Sequence, residues 1–559
     1  MKKNRWIGII WVGTVLLILT KVSLAIDVYT AESQYLQNKI PTAAAKILCS
    51  KNLHCGSRLV ADFYTKHGFI PVWTTTDGDL SANAKDLLSV IHNAYQDGLN
   101  PEDYHTKVID AMLPTLNQGV SSDNPDAVAR LANFDLTLTD AFFLYASDIL
   151  YGKVNNKVSY PNWTITKRSA DLVAVLDKAL QAKQVHEALA DLSPHSYAYT
   201  KLKAKLAQYQ LIAGNGGWKQ IPSGDKLEVG SQGDSVALLQ QRLMATGELS
   251  SIADDKKGIF DVNLESAVSK FQEDHGLNDD GVVGTETLSA LNLPVTTRIQ
   301  QIELNLDRLR WLPDDLGKNY IVVNIPDFSL MVVQDGKVIM TMPVIVGADG
   351  KQSCVLSSKI TYLELNPYWY VPRSIAVKEF LPILKRNPQF LEQNAIQVYS
   401  GGYADTDEID QSSINWRQVD PNNFEFQLRQ EPGTLNSLGR IKFIFANSCG
   451  IYLHDTPAHD LFSESRRDLS HGCIRVGKPI DLAAYLLQDK KTWTNDKISS
   501  EIDKGQREIV TLTQPMNIYI VYATAWVDSN NVLQFRNDIY NIDDSSYPIV
   551  YPTTSANAD

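Results

Sequence analysis

A chain of 559 residues is several times the usual domain size and has room for roughly three or four folded units. With 44% hydrophobic and 21% charged residues it is composed like a globular protein, which excludes wholesale disorder and a many-times membrane-spanning fold. A formal net charge of -12 argues against nucleic acid, whose phosphates need a basic surface, and against a polyanionic substrate.

The chain starts MKKNRWIGIIWVGTVLLILTKVSLAIDVYT. Lys2, Lys3 and Arg5 form a cationic leader, Trp6 to Leu19 an apolar run, and Ser23-Leu24-Ala25 a small-residue cleavage site, so residues 1–25 read as a secretory signal. The rival is an uncleaved inner-membrane anchor, for which Lys21 leaves the stretch marginal against the ~20 apolar residues of a span. Either way the bulk of the chain is exported, and no other segment is apolar enough to span. Five cysteines leave at least one thiol unpaired within a monomer. Cys49 and Cys55 either close a small loop, as an oxidising compartment allows, or stay as two free thiols.

Residues 26–222 read as a helical scaffold domain. LSANAKDLLSVIHNAYQDGLNPEDYH spaces Leu80, Leu87, Leu88, Ile91 and Tyr95 at helical intervals, and Gly98 followed by Pro101 stops the run. DAVARLANFDLTLTDAFFLYASDILYGK repeats the pattern to Gly152. No constellation here suggests chemistry.

After the turn-rich NGGWKQIPSGDK, residues 223–296 form a compact unit. Val236, Leu239 and Leu243 share one helical face and Leu264, Val268 and Phe271 another, with Gly247 and Gly276 where helices should end. Three short helices with glycine turns are predicted. The G-x-x-G-x-x-V-x-x-L-Q, F-Q-x-x-H-G-L and D-G-V-V-G-x-x-T pattern resembles the peptidoglycan-binding type 1 domain, which implies docking on cell-wall glycopeptide. The bland alternative is a rigid spacer.

A linking helix, IQQIELNLDRLRWL, opens a mainly-β domain at 297–545. YIVVNIPDFSLMVVQDGKVIMTMPVIVG predicts strands with a hairpin at Asp335-Gly336, and strand pattern resumes at GRIKFIFANS and EIVTLTQPMNIYIVYATAWVD. A mixed capping insertion occupies about 374–435, helical through SIAVKEFLPILKRNPQFLEQNAIQVYSGG and then loop-rich. Residues 546–559 are a tail.

The chemistry gathers in LHDTPAHDLFSESRRDLSHGCIRV, Leu453 to Val476. Cys473 follows Ser470, His471 and Gly472 on a tight segment leading to a helix predicted to begin at Pro479, with Asp481 complementing its dipole. Such a segment can aim several backbone N-H groups at one spot. A thiol with a reference pKa of about 8.5 needs a base or a positive field to act as nucleophile at neutral pH. His471 lies one residue away, on the same face but poorly placed for proton transfer, so His454, arriving from another strand, is the expected base. Two other readings compete. A metal site could recruit His454, Asp455, His459, His471 and Cys473, but no pair has the C-x-x-C or H-x-x-x-H spacing, and a buried structural cysteine with surface histidines is the plain alternative.

His454, fifteen intervening residues and then Ser470-His471-Gly472-Cys473-Ile474-Arg475 resembles the signature of the YkuD-type L,D-transpeptidases. LNPYWYVP at Leu365 to Pro372, LGRIKF at Leu438 to Phe443 and ATAWVD at Ala523 to Asp528 add to the likeness. The order of scaffold, wall-binding module and catalytic domain with insertion is similar to the larger YcbB-like class of Gram-negative bacteria, which implies a periplasmic place.

The resemblance implies that Cys473 attacks the carbonyl of residue three, meso-diaminopimelate, of a peptidoglycan tetrapeptide stem and releases D-alanine. His454 moves the proton, and the acyl group passes to an amine, giving a 3-3 cross-link. Backbone N-H groups of Gly472 and Cys473, with His471, would form the oxyanion hole, where one donor is worth about 3 kcal/mol of barrier. Tyr452, on the same strand face as His454, would add a hydroxyl, and Arg475 would hold either the stem carboxylate or the local fold. A backbone carbonyl would orient His454, since Asp455 should point to the opposite face. No metal or organic cofactor is implied. Penicillin-binding proteins or other wall-synthesis proteins are the partners implied besides stem peptides, and carbapenems would acylate Cys473. Water or a D-amino acid could also take the acyl group, making a carboxypeptidase or exchanger, and a silent wall-binding scaffold is the non-enzymatic rival. Ser353-Cys354 stands where the family often has Thr-Pro. Cys449, five residues before His454, is expected to be a packed free thiol, with a disulfide to Cys473 as the alternative.

Overall fold

A computed structural model describes residues 27–43, 57–75, 77–154, 168–401, 407–544 and 546. The predicted signal or anchor, the Cys49 and Cys55 pair and nearly all of the 546–559 tail lie outside them. The described residues form two compact units, one of residues up to 88 with 105–143, the other of 89–104 with 144 onward.

The first unit is helical, with helices Val28–Ala43, Ser57–Lys66 and Thr106–Met112 and the first part of Pro125–Tyr151. Phe63, Trp73, Phe134 and Phe142 are fully buried, and Asp135 lies among them accepting from the Val72 and Trp73 N-H groups and the Tyr64 hydroxyl. The helix Ala82–His92 buries Leu87, Leu88 and Ile91 as the spacing predicts. Tyr95 departs from that face and is 45% exposed. The α-helix has already ended, and residues Ala94–Asp97 tighten into a 3-10 turn closed by Gly98 at φ +66°.

In the second unit the three predicted helices of the small module are Asp234–Thr246, Val262–Asp274 and Thr285–Leu291. They enclose Val236, Leu239, Leu243, Leu264, Val268 and Phe271, and the first ends on Gly247 at φ +94°. The helices Tyr197–Gly214 and Val295–Arg310 share a separate core with a hairpin of β14 (Ala525–Val527) and β15 (Leu533–Phe535).

The mainly-β region is built on a nine-stranded mixed sheet. Its strands are β1 (Asn319–Asn324), β2 (Ser329–Gln334), β3 (Lys337–Gly347), β4 (Leu356–Leu365), β9 (Ile441–Phe445), β10 (Leu453–His454), β11 (Asp468–Ser470), β12 (Ile474–Val476) and β13 (Glu508–Val521), in the order β11-β3-β12-β10-β9-β4-β13-β1-β2. Asp335 and Gly336 take φ +48° and +75°, the left-handed pair that a two-residue hairpin needs. The first half of β3 pairs with β2 and its end with β12 and β11, so the sheet curls back on itself. Leu363, Phe443, Leu453 and Ile474 point to one face and are fully buried against helices Pro479–Leu486 and Asn495–Asp503. Each such side chain contributes about 1.5–3 kcal/mol of burial. The other face carries the candidate site.

Between β4 and β9 the insertion folds on its own core, which includes Leu384, Val398, Trp416 and Leu428. It has a four-stranded sheet of β5 (Trp369–Tyr370), β8 (Phe426–Gln430), β6 (Ile396–Ser400) and β7 (Glu408–Ile409). β5 lies ahead of residue 374 yet belongs to this sheet, pairing with β8. Residues 396–400, predicted to be helical, are a strand instead. Ala395 at φ +52° ends the helical stretch, and Ile396 and Val398 then alternate into the small core.

Candidate active site

The site follows from strand register. β10 runs parallel to β12 with Leu453 opposite Ile474 and His454 opposite Arg475, and antiparallel to β9 with His454 opposite Lys442. β9 in turn sets Lys442 against Glu364 of β4. Because neighbours across a sheet share a face, Glu364, Lys442, His454 and Arg475 form one row. Tyr452 and Cys473 stand next to it, the Ile474 N-H meeting the Tyr452 carbonyl at 3.1 Å. The predicted base thus comes from a neighbouring strand and faces the same way as the thiol.

His454 is 4% exposed, and its Nδ1 lies 2.5 Å from the Asp455 carbonyl oxygen, with the Leu438 carbonyl also in range. Only an N-H can meet a carbonyl oxygen, so Nδ1 carries the proton and Nε2 keeps the lone pair. Burial, with Arg475 and Lys442 beside it, holds the imidazole down to about 3. His454 is therefore neutral at physiological pH and free to accept a proton. The Asp455 side chain turns away, as expected, and takes the Arg440 N-H at 2.8 Å.

Cys473 is half-buried, and burial pushes its thiol up. The Tyr452 N-H and hydroxyl both bond to the sulfur, and together with Lys442 and Arg475 they oppose that rise. The thiol and the imidazole thus both rest neutral on one face of the sheet. Arg475 makes no hydrogen bond among the described residues, and its buried Nε has no partner. Its guanidinium keeps its whole capacity for an incoming anion.

The motif is held from within. Gly472 adopts φ +112°, a conformation that favours glycine. Its N-H donates to Ser470 Oγ at 3.1 Å, Ser470 Oγ donates to the Cys473 carbonyl at 2.5 Å, and Ser353 Oγ donates to the Gly472 carbonyl at 2.8 Å. The Gly472 N-H is thus engaged by Ser470 in this structure, whereas the N-H of Cys473, the other expected oxyanion donor, makes no hydrogen bond among the described residues. His471 turns its ring toward the insertion, where Nε2 meets Glu379 Oε1 at 2.6 Å, and Lys351 Nζ joins the same carboxylate at 2.9 Å. His459 is more than half exposed and stands 3.6 Å from Asp455.

Cys449 is neither a free thiol nor a partner of Cys473. It is bonded to Cys354, across 95 positions of sequence. Their approach depends on β4 and β9 pairing, which local spacing cannot reveal. The departure at Ser353-Cys354 now has a physical reason, since Ser353 braces the motif and Cys354 ties that loop to the approach of β10. Sequence reading also missed Lys442, Glu364 and Glu379. Only LGRIKF, which contains Lys442, carried any hint.

Residues 318–499 match the family profile described as an L,D-transpeptidase catalytic domain, residues 232–291 one described as "Putative peptidoglycan binding domain", and residues 58–206 one described as a scaffold domain. A "Putative L,D-transpeptidase" of Haemophilus influenzae is 32% identical over 244 residues, 44% of this chain and 48% of that protein, so the chain spans about half the length of the curated relative it matches. Among solved structures, an L,D-transpeptidase from Xylanimonas cellulosilytica is 16% identical, covering 54% of this chain and 99% of that one at a TM-score of 0.16. One from Stackebrandtia nassauensis is 15% identical, covering 54% and 96% at 0.21. Those scores are too low to compare folds. The chain thus carries an L,D-transpeptidase catalytic domain, an acyltransferase domain, behind a scaffold domain and a peptidoglycan-binding module.

Proposed function

We propose that the protein is an exported peptidoglycan L,D-transpeptidase whose nucleophile is Cys473. The observation that carries this reading is a thiol and a neutral imidazole on one sheet face, the imidazole tautomer fixed by a backbone carbonyl, inside an L,D-transpeptidase catalytic domain. His454 Nε2 takes the thiol proton as the sulfur attacks the carbonyl of diaminopimelate, residue three of a tetrapeptide stem. The Cys473 N-H and the Tyr452 hydroxyl meet the oxygen as it becomes anionic. Collapse breaks the C-N bond, His454 returns the proton to the leaving D-alanine amine, and a thioester remains. An acceptor amine, the side chain of a second diaminopimelate, then attacks while His454 takes its proton. The C-S bond breaks, the thiol is restored and a 3-3 cross-link results.

Arg475, unpaired beside the sulfur, supports a stem carboxylate as the group that orients the donor. The peptidoglycan-binding module supports docking on the wall and hence a place outside the cytoplasm; the reading adds the periplasm as that place and wall-synthesis proteins as candidate partners of the scaffold. Among the described residues no helix is long and apolar enough to cross a membrane.

The test is mass analysis of products from disaccharide-tetrapeptide containing meso-diaminopimelate. A tetra-tri dimer with D-alanine released supports transpeptidation, tripeptide without dimer points to a carboxypeptidase, and no change refutes both. Cys473→Ala should abolish turnover, a loss of at least about 10³-fold, while sacculus binding persists. Retained turnover would refute the assigned nucleophile.

A further inference from the structure

Lys442 is a half-buried cation on the catalytic face that makes no hydrogen bond or ion pair among the described residues. Glu364, opposite it in register, is taken by Arg507. That carboxylate attracts the Lys442 ammonium through space but makes no hydrogen bond to it, so burial still holds the ammonium below the ordinary lysine range, and a methionine would fill the same space without that cost. What Lys442 meets is aromatic: its Nζ stands 4.0 Å from the centroid of the Tyr452 ring. That tyrosine bonds to the Cys473 sulfur through both its hydroxyl and its N-H. Tyr452 also packs edge-on with His454, their ring centroids 5.7 Å apart.

We propose that Lys442 is a positioning residue for the nucleophile: by lying on the Tyr452 ring it holds the tyrosine hydroxyl against Cys473 and supplies the positive field in which the thiolate forms. A cation over a ring face binds it by about 0.5–2 kcal/mol and draws electron density from it, so the phenolic O-H becomes a better donor to sulfur. The same charge sits opposite His454 and discourages imidazolium, keeping the base unprotonated. The other charged or titratable groups around the thiol are His454 on β10, Arg475 on its own strand, Glu364 on β4 with Arg507 behind it, and the Glu379, Lys351 and His471 cluster at the insertion. None of these lies on the tyrosine ring as Lys442 does. The proposal rests on the acyl-transfer reading only for its kinetics.

The experiment uses the full chain and follows iodoacetamide alkylation of Cys473 by peptide mass spectrometry across pH, alongside turnover and thermal melting. Lys442→Met is expected to raise the alkylation midpoint by about one pH unit and to lower kcat about tenfold with KM nearly unchanged. Its melting temperature should hold or rise, because an unpaired buried cation has gone. Lys442→Arg, which can also stack on the ring, should restore most of both. Tyr452→Phe should also raise the midpoint, and Lys442→Met added to it should shift it by less than Lys442→Met does alone, since only the direct field of the cation is left to lose. An unmoved midpoint in Lys442→Met, additive shifts in the double variant, no rescue by arginine, or melting that falls in step with turnover would each overturn the proposal. Absence of turnover in the unaltered chain would instead refute the acyl-transfer reading, and the alkylation midpoints would still decide this one.

Discussion

Two histidines of this chain, one in the peptidoglycan-binding module and one in the catalytic domain, have nearly the same burial. His275 is 5% exposed with Nδ1 2.7 Å from the Phe271 carbonyl, and His454 is 4% exposed with Nδ1 2.5 Å from the Asp455 carbonyl. Both are held below the ordinary imidazole range, chiefly by burial. Around His275 lie the rings of Phe271 at 3.8 Å and Phe535 at 5.4 Å together with the guanidiniums of Arg298, Arg242 and Arg536, and its Nε2 is sealed without a partner. Around His454 lie Tyr452, Arg475 and Lys442, with Cys473 on the adjoining strand. Desolvation and a fixed tautomer do not by themselves make a base. Both have cations near them, so what separates the two is the thiol that shares a face with His454, where the Nε2 of His275 meets no proton donor.

The sharpest way to test that contrast is to remove each ring in turn. His454→Gln should lower kcat by about 10³-fold, since general-base catalysis contributes roughly 10²–10⁴, while the fold melts near its original temperature. A loss under tenfold would move the base elsewhere. A second test is the pH profile. His454 titrates near 3 when folded and near 6.5 when free, so kcat/KM should show no acid inflection between about pH 5 and 7. The sign for stability is equally definite. The contribution of a neutral buried imidazole is complete above about pH 6.5 and is lost as pH falls from there toward 3, because the unfolded chain takes up the proton first. His275 acts in the same direction, so melting temperature should fall with acidification over that window. An inflection in kcat/KM near 6.5 would mean that His454 titrates as a free side chain. The smallest effect on turnover belongs to His275→Leu, which should leave kcat within about twofold and the melting temperature close to that of the parent chain, since an apolar side chain of similar bulk leaves no buried nitrogen without a partner. A larger fall in kcat would break the contrast.

The parts of the site that were legible in sequence are those encoded locally. The signature around Cys473 sets the candidate nucleophile, the glycine and the helix entry within a few residues, and the helix does begin at Pro479. That His454 comes from a neighbouring strand followed from its distance along the chain. What stayed hidden depends on register between strands far apart in sequence. Lys442 opposite His454, Glu364 opposite Lys442 and Cys354 bonded to Cys449 all require β4, β9 and β10 to be aligned, and no periodicity within one strand states that alignment. The fate of the Gly472 N-H was hidden for a nearer reason. The Ser470 hydroxyl could turn to solvent or to the motif, and only the folded turn shows which. In the insertion, the helical reading overran into β6 because Ile396 and Val398 suit either period over so short a run.

The place of β13 in the sheet has a consequence for how this protein comes into being. It lies between β1 and β4, pairing parallel with β1 from Tyr320 opposite Asn517 onward, although it follows β1 by roughly 200 positions. A ribosome adding about 5–20 residues per second leaves β1 and β2 without that neighbour for some tens of seconds. During synthesis Cys473 is translated before the strand that completes its sheet, so the thiol exists before that sheet is whole. The order of strands thus acts as a timer: the sheet that carries Cys473 closes only when the last long strand takes its place between β1 and β4.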